Sequence, residues 1–420
     1  MTGIAVSSHT FLRKWWPAIG LSAALVFLAS CGGTGEKAGA GKSAVLKKSS
    51  APVFTPLDPA FRQRLADSCR SWYDTFLMAR NFNGGMLVAK NGEVVFEAYN
   101  GTAHLPGTDT VNSTTPLHVA SVSKTFTAMA VLQLVQQGRV RLDDSLERHF
   151  PEFNYPGVTV RTLLNHRSGL PNYVYFMEKL GWPADKTVRN RDVFDYLVAR
   201  KTELTGIEKP DTRFSYCNTN YALLALLIEK VSGKNYRQYI HENMFAPLGM
   251  RNSFVYDTSM AHTAVPSYDW RGTEMAVTCL DAVYGDKNIY TTPRDLLRWD
   301  AALYDTSFLS PALLEAAFTP YSNEKPGIRN YGLGWRLFLL PSGKKIVYHN
   351  GWWHGNNATF IRLPQDSAVI IVTGNRFNRN IYHARALARF LGDYGFEDEE
   401  DEHVAVGVPD AGGRKQSSRR

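Results

Sequence analysis

Three stretches near the end of the chain decide how it folds. They are Lys344-Lys345-Ile346-Val347-Tyr348-His349, Asn357-Ala358-Thr359-Phe360-Ile361-Arg362-Leu363 and Ala368-Val369-Ile370-Ile371-Val372-Thr373-Gly374. Each is short and dense in β-branched and aromatic residues, which suit a pleated, buried surface. Pro364-Gln365-Asp366 separates the last two, and Pro341-Ser342-Gly343 separates the first from a fourth apolar run, Tyr331–Leu340. Proline and glycine at those points are turn chemistry, so the four runs read as successive antiparallel strands. A helix is predicted after them, at about Ile381–Leu391.

The same pattern recurs near the beginning. Met86–Ala89 and Glu93–Tyr99 flank Asn91-Gly92, a strong hairpin-turn signal, and Pro59–Asn81 before them has helical apolar spacing. The middle, about 116–324, is dominated by helical patterns and long loops. The expected fold is therefore α+β: a mainly antiparallel sheet flanked by helices, built from both chain ends. Residues 56–115 and 325–395 form the sheet lobe, and the inserted 116–324 a largely helical lobe. Such a division leaves a cleft between lobes, where ligand sites tend to lie.

The 420 residues are 44% hydrophobic and 20% charged, which excludes a wholly disordered or fibrous chain. A net charge of +8 is modest for this length, and the basic residues are scattered, so nucleic acid is not an expected partner. At the N-terminus, Arg13-Lys14 precedes an uncharged, mostly apolar segment, Trp15–Ser30. That is short for a bilayer span, which needs roughly 20 residues, and suits a secretory signal. The segment ends Leu28-Ala29-Ser30-Cys31-Gly32, which resembles a bacterial lipoprotein box. The resemblance implies cleavage after residue 30 and lipidation of Cys31; the alternative is an uncleaved anchor with an incidental cysteine. Residues 31–55, rich in Gly, Ala, Ser and Lys, read as a flexible tether, and 396–420 as a disordered charged tail. The expectation is a lipid-anchored domain of the cell envelope, outside the cytoplasmic membrane, on its periplasmic or surface side. Cys69, Cys217 and Cys279 have no paired spacing, so neither a disulfide framework nor a zinc site is indicated.

The Gly-x-Ser-x-Gly, His-Glu-x-x-His and Gly-x-x-x-x-Gly-Lys motifs are missing. Ser121-Val122-Ser123-Lys124 is present, where a helix with apolar Phe126, Met129, Ala130, Leu134 and Val135 is predicted to start. Serine and lysine three apart share a helix face, so the Lys124 amine can reach the Ser121 hydroxyl and activate it as a nucleophile. Ser322-x-x-Lys325 and Ser342-x-x-Lys345 match the spacing too, but lie in a polar loop and a hairpin turn. The second element is Tyr216-Cys217-Asn218; a tyrosine beside an ammonium ionises more easily and can shuttle a proton. Tyr321 and Tyr348 also begin a Tyr-x-Asn. The third is His349-Asn350-Gly351-Trp352, at the end of an apolar strand. A strand edge offers backbone N–H groups to a substrate, and glycine permits close approach. The Trp352 N–H can form an oxyanion hole with that of Ser121, and His349 can bind a substrate carboxylate or help set the lysine's protonation.

In this order the three elements resemble the serine β-lactamase and DD-peptidase superfamily, specifically its class C-like branch, with Ser-x-x-Lys, Tyr-x-Asn and Lys-Thr-Gly or His-x-Gly. Separations of 95 residues from Ser121 to Tyr216 and 133 from Tyr216 to His349 suit that layout. The flanking segments Val160–Leu170 and Asn288–Leu296 also look like the branch, and the likeness covers most of residues 60–392. The resemblance implies that Ser121 is acylated, Lys124 is its base partner, Tyr216 shuttles the proton, and Asn218 orients the lysine and binds substrate. His349, Gly351 and Trp352 would line the substrate strand. It implies acyl transfer followed by hydrolysis, with no metal or organic cofactor. The substrate would be a small molecule or peptidoglycan-type D-amino-acid peptide, amide, ester or β-lactam. Which of Lys124 and Tyr216 is the base stays open. Histidine in the third motif, where many β-lactamases have lysine, lowers the expectation of strong β-lactamase activity.

Other residues have two readings. His166 and His354 suit a structural role better than a charge relay. Trp352, Trp353, Tyr173 and Tyr175 are either walls of an apolar acyl pocket or ordinary core and rim aromatics. Two alternatives to a hydrolase share the motifs: a penicillin-recognising sensor with negligible turnover, and a non-catalytic binding lipoprotein that retains the fold.

Overall fold

The computed structural model describes residues 54–395. The expected signal peptide, Cys31, nearly all of the tether and the charged tail lie outside the described residues. The first helix, α1 (Pro59–Trp72), starts where sequence chemistry favours it. Asp58 caps it by accepting the Phe61 N–H at 2.8 Å, and Pro59 takes the first helical position, where no N–H is needed.

Two hairpin strands follow, β1 (Gly84–Lys90) and β2 (Glu93–Asn100). A small three-stranded sheet, which the sequence did not signal, joins β3 (Leu117–His118), β4 (Phe254–Val255) and β5 (Ile289–Thr291) in the order β3-β5-β4. The C-terminal part then supplies β6 (Arg329–Tyr331), β7 (Arg336–Leu339), β8 (Lys345–Trp353), β9 (Asn356–Leu363) and β10 (Ala368–Gly374). The main sheet runs β2-β1-β10-β9-β8-β7-β6, antiparallel throughout. Its first and last strands in sequence are neighbours, β1 beside β10, so both chain ends build one sheet, as expected.

Both faces of that sheet are covered, which is why β10 reads as an unbroken apolar run rather than an alternating one. Leu87, Val369 and Ile371 face a core shared with the helical lobe. Met86, Ile370 and Val372 face a second core, with Leu65 and Trp72 of α1 and with Ile381 and Leu387. Two sequence expectations need correction. The run Tyr331–Leu340 is two strands, because Gly332 to Trp335 turn between them. A Cβ at Gly332 would lie 2.1 Å from the Ala317 carbonyl, and one at Gly334 would lie 2.3 Å from the Ala128 Cβ. The C-terminal helix is mostly a 3-10 stretch, Arg379–Leu387, finished by the short α-helix Ala388–Leu391.

The helix α2 (Ser123–Gln136) carries the lysine of the Ser-x-x-Lys motif, and its serine lies on the turn just before it. The helix is buried nearly all round rather than along one stripe. The apolar helix Asn218–Ser232 packs on one side, Gly334 approaches Ala128, and Trp299 stacks on Phe126 at 4.3 Å. A helix held from several directions gives its side chains little freedom, and this one delivers the site.

Candidate active site

Ser121 lies on a tight 3-10 turn, Ala120–Val122, that leads into α2. The turn is entered through Ala120 at φ +46°, a left-handed conformation that costs a non-glycine residue about 1 kcal/mol or more and persists only where neighbours enforce it. Those neighbours can be named. Val119 donates its N–H to the Ile289 carbonyl at 3.0 Å, and Ser123 Oγ accepts the Ile289 N–H at 3.0 Å. Ser123 therefore ties the turn to β5, and Ser121, 6% exposed, is left to Lys124.

Lys124 is 0% exposed, which a lysine tolerates only when its amine is bonded. Its Nζ donates to Ser121 Oγ at 3.0 Å and to the Asp286 main-chain carbonyl at 2.8 Å. It also lies 5.0 Å from the Tyr216 ring centre and 5.6 Å from that of Tyr221. In its neutral form the same amine is placed to accept the Ser121 proton. Three of the expected residues are thus assembled: Ser121, Lys124 and Tyr216.

The two competing Ser-x-x-Lys matches are not paired in this way. Lys345 Nζ donates to the Phe318 carbonyl, and Ser322 and Lys325 lie in a surface loop. Tyr321 donates to the Ala316 carbonyl, and Tyr348 stacks on Phe338 at 4.8 Å.

Asn218 opens the helix Asn218–Ser232 beside Tyr216, but its lysine-orienting role is not met. The Asp286 carbonyl does that work, while Asn218 Oδ1 is buried with no hydrogen-bond partner among the described residues. An orphaned buried amide oxygen is costly and remains available to a substrate N–H.

Beyond Tyr348, strand β8 loses its β7 partner and is paired only with β9. The open side of Asn350–Trp353 supplies the expected strand edge. Gly351 is required there, though for a contact within the protein. A Cβ would lie 2.1 Å from the Val119 carbonyl and 3.3 Å from Ala120, the two residues before the nucleophile. Trp352 is half-buried on this segment, its indole N–H bonded to the His354 carbonyl at 2.8 Å.

Of the two roles expected of His349, binding a substrate carboxylate does not suit where the ring lies. It is 0% exposed, its Nδ1–H donates to the Asn350 carbonyl at 2.8 Å, and Nε2 accepts from the Tyr331 hydroxyl at 3.2 Å. Burial, followed by the charges of Arg336 and Lys124, holds its pKa well below 6.5, so the ring is neutral. Positive charge beside the site comes instead from Arg336, whose guanidinium carbon stands 5.2 Å from the Tyr216 ring centre. No motif flags Arg336, because it reaches Tyr216 across the fold from β7.

His166 and His354 are structural, as expected. His354 bonds Asp281, and His166 is buried against the Tyr216 ring, its pKa held well below 6.5 by burial and then by Lys124. Tyr173 and Trp353 belong to the core, bonded to Asp286 and Asp281 respectively, whereas Tyr175 stands at the surface. Tyr216 lines one of two cavities of about 510 Å³ each, and Arg213 lines both. One is bordered by Asn350, Tyr331, Arg336 and Arg213, the other by Leu170, Tyr175, Phe176 and Leu204.

Comparison with known proteins agrees with this geometry. The family model described as "Beta-lactamase" matches residues 62–392. Penicillin-binding protein 4* of Bacillus subtilis is 30% identical over 365 residues, covering 83% of this chain and 78% of that protein. Among solved structures, a penicillin binding protein from Bacillus halodurans superposes with a TM-score of 0.66 at 24% identity, covering 76% of this chain and 98% of that one. A D-amino acid amidase from Ochrobactrum anthropi SV3 does so with a TM-score of 0.63, also at 24% identity, over 78% of this chain and 97% of that one. At that identity the two structures establish the fold. From the family match, the relative and the fold together, the chain belongs to the beta-lactamase family and is a serine hydrolase of the β-lactamase/DD-peptidase type.

Proposed function

We propose that this chain hydrolyses D-amino-acid peptides, amides or esters through an acyl-enzyme on Ser121, in the manner of a DD-carboxypeptidase. The observation that carries the reading is the 3.0 Å contact between Lys124 Nζ and Ser121 Oγ, closed on its far side by Tyr216. Lys124 accepts the Ser121 proton as the oxygen attacks the scissile carbonyl. Tyr216, whose ring centre lies 5.0 Å from the Lys124 amine, relays a proton to the leaving group. Ser121 and Trp352 N–H groups stabilise the developing oxyanion, and Asn218 Oδ1 accepts a substrate N–H. Water then cleaves the serine ester by the same relay in reverse.

The neutral His349 shapes the substrate strand without charging it, so a substrate carboxylate is met by Arg336. This favours peptides ending in a free carboxylate. The name of the Ochrobactrum relative, an amidase of D-amino acids, supports the stereochemical class. The lipoprotein-like stretch around Cys31 supports an enzyme anchored outside the cytoplasmic membrane, facing peptidoglycan-type substrates.

The test is a substrate panel: D-alanyl-D-alanine peptides, D-phenylalanine amide, a short ester, their L-isomers and a chromogenic cephalosporin. Turnover of D-substrates over L-isomers, lost in Ser121→Ala, supports the reading. Stoichiometric acylation by the cephalosporin without multiple turnovers of any substrate would instead identify a sensor.

A further inference from the structure

A second lysine is buried next to the first. Lys287 is 2% exposed, and no motif includes it. Its ammonium lies 4.6 Å from the Trp353 ring centre and 5.0 Å from that of Tyr173, and is paired with Asp286 Oδ2 at 3.4 Å. It also donates to the Tyr173 hydroxyl, which in turn donates to Asp286 Oδ2 at 2.9 Å. Asp286 and Tyr173 are themselves buried. The result is a closed box of two aromatic faces, one carboxylate and one phenol around a single cation.

Asp286 is the link to the chemistry. Its carboxylate is held by Lys287 and Tyr173, and its main-chain carbonyl accepts from Lys124 Nζ at 2.8 Å. Two ammonium groups therefore bond opposite ends of one residue. We propose that Lys287 is a positioning residue for Lys124: it fixes the Asp286 carbonyl that holds the Lys124 amine on Ser121, and it sets a second cation beside that amine. The inference rests on the assignment of Ser121 and Lys124 made above.

Bringing two like charges together in a buried site is costly, and the bonds each ammonium makes to Asp286 hold them in place. Lys287 has its pKa lowered, by burial first, against the opposing pull of Asp286 and Asp281, with Lys124 lowering it further. The other groups facing Lys124 are Ser121, Tyr216, Tyr221, His166 and His349, and Arg336 acts on both histidines. Both histidines are neutral. Removing Lys287 leaves the Asp286 carboxylate without its ion-pair partner, so the residue whose carbonyl holds the Lys124 amine loses an anchor.

The experiment is the rate of Ser121 labelling by a fluorophosphonate probe, and kcat and KM on an ester, in the wild type, Lys287→Met and Lys287→Arg. In Lys287→Met the labelling rate is expected to fall ~10-fold, and the loss on the ester to sit in kcat rather than KM. Lys287→Arg, which keeps the charge, is expected to stay near the wild-type rates. A folded Lys287→Met with wild-type rates overturns the proposal, as does an equal loss in Lys287→Arg, which would mark a packing effect. If Lys287→Met does not fold, Tyr173→Phe carries the test, since it keeps the ring and loses only the bridging hydroxyl. Its labelling rate should fall ~3-fold or more, and an unchanged rate overturns the proposal. Labelling of the wild type on Ser121 tests the underlying assignment separately, so the two failures are distinguishable.

Discussion

His166 grips the backbone on both sides of Tyr216. Its carbonyl accepts the Ser215 N–H at 2.9 Å and its Nδ1 accepts the Cys217 N–H at 3.1 Å, while the two rings lie 4.4 Å apart. A tyrosine fixed from both flanks loses little freedom when a proton must pass through it, which is the geometric side of catalysis. In His166→Ala the Cys217 N–H loses its acceptor and the ring leaves a void. Stability should fall by about 2 kcal/mol or more. The activity loss should sit in kcat rather than KM, by ~10-fold or more. Steady-state kinetics beside thermal denaturation check both.

Gly351 allows β8 to lie against the turn that presents Ser121. An added Cβ would meet backbone, which cannot swing away as a side chain can. Gly351→Ala should therefore cost about 1–3 kcal/mol and separate the substrate strand from the nucleophile. Labelling of Ser121 is expected to slow more than the stability loss accounts for. Wild-type labelling and melting in this variant would show that the strand does not need that approach.

Arg336 and His349 should divide the work of charge and shape. Arg336→Gln should raise KM for a carboxylate-terminated D-peptide by ~10–100-fold, the worth of a charge-assisted contact, with a smaller effect on an uncharged ester. His349→Gln removes no cation, so the ratio between those two substrates should stay near the wild-type value. Parallel kinetics on the peptide and the ester decide the assignment.

Three buried histidines make stability depend on pH. Burial, ahead of any charge, lowers the pKa of His118 to about 3, and those of His166 and His349 well below 6.5. Unfolded, each takes a proton as pH falls below about 6.5, whereas the native state stays neutral there. Their contribution is whole above that value and is lost as pH falls toward the native pKa. Each withdraws about 1.4 kcal/mol per pH unit, so the unfolding free energy should drop steeply between pH 6 and 4.5. Urea unfolding at pH 7.5, 6.0 and 4.5 measures it, and a flat profile would contradict the neutral assignment.

Much of this was legible in the residues, and the rest depends on contacts made only in the fold. The strands β8, β9 and β10, the N-terminal hairpin and the Ser121, Lys124 and Tyr216 constellation follow from local patterning and motif order. The break between β6 and β7 does not, because Gly332 and Gly334 are needed for contacts with Ala317 and Ala128, far away in sequence. The part played by Asp286 in holding Lys124 is invisible for a different reason: it uses a main-chain carbonyl, which every residue has. His349 was found by its motif, but its neutrality depends on burial and on Arg336 and Lys124 rather than on residue type. No motif includes Lys287, and only the fold encloses it.

Everything rests on Ser121 being a live nucleophile. Peptide mass spectrometry of the full chain after incubation with a fluorophosphonate probe tests that directly. One covalent adduct is expected, on Ser121, absent from Ser121→Ala and strongly reduced in Lys124→Ala. An unmodified Ser121 in folded protein, or an adduct on another serine, would contradict that role.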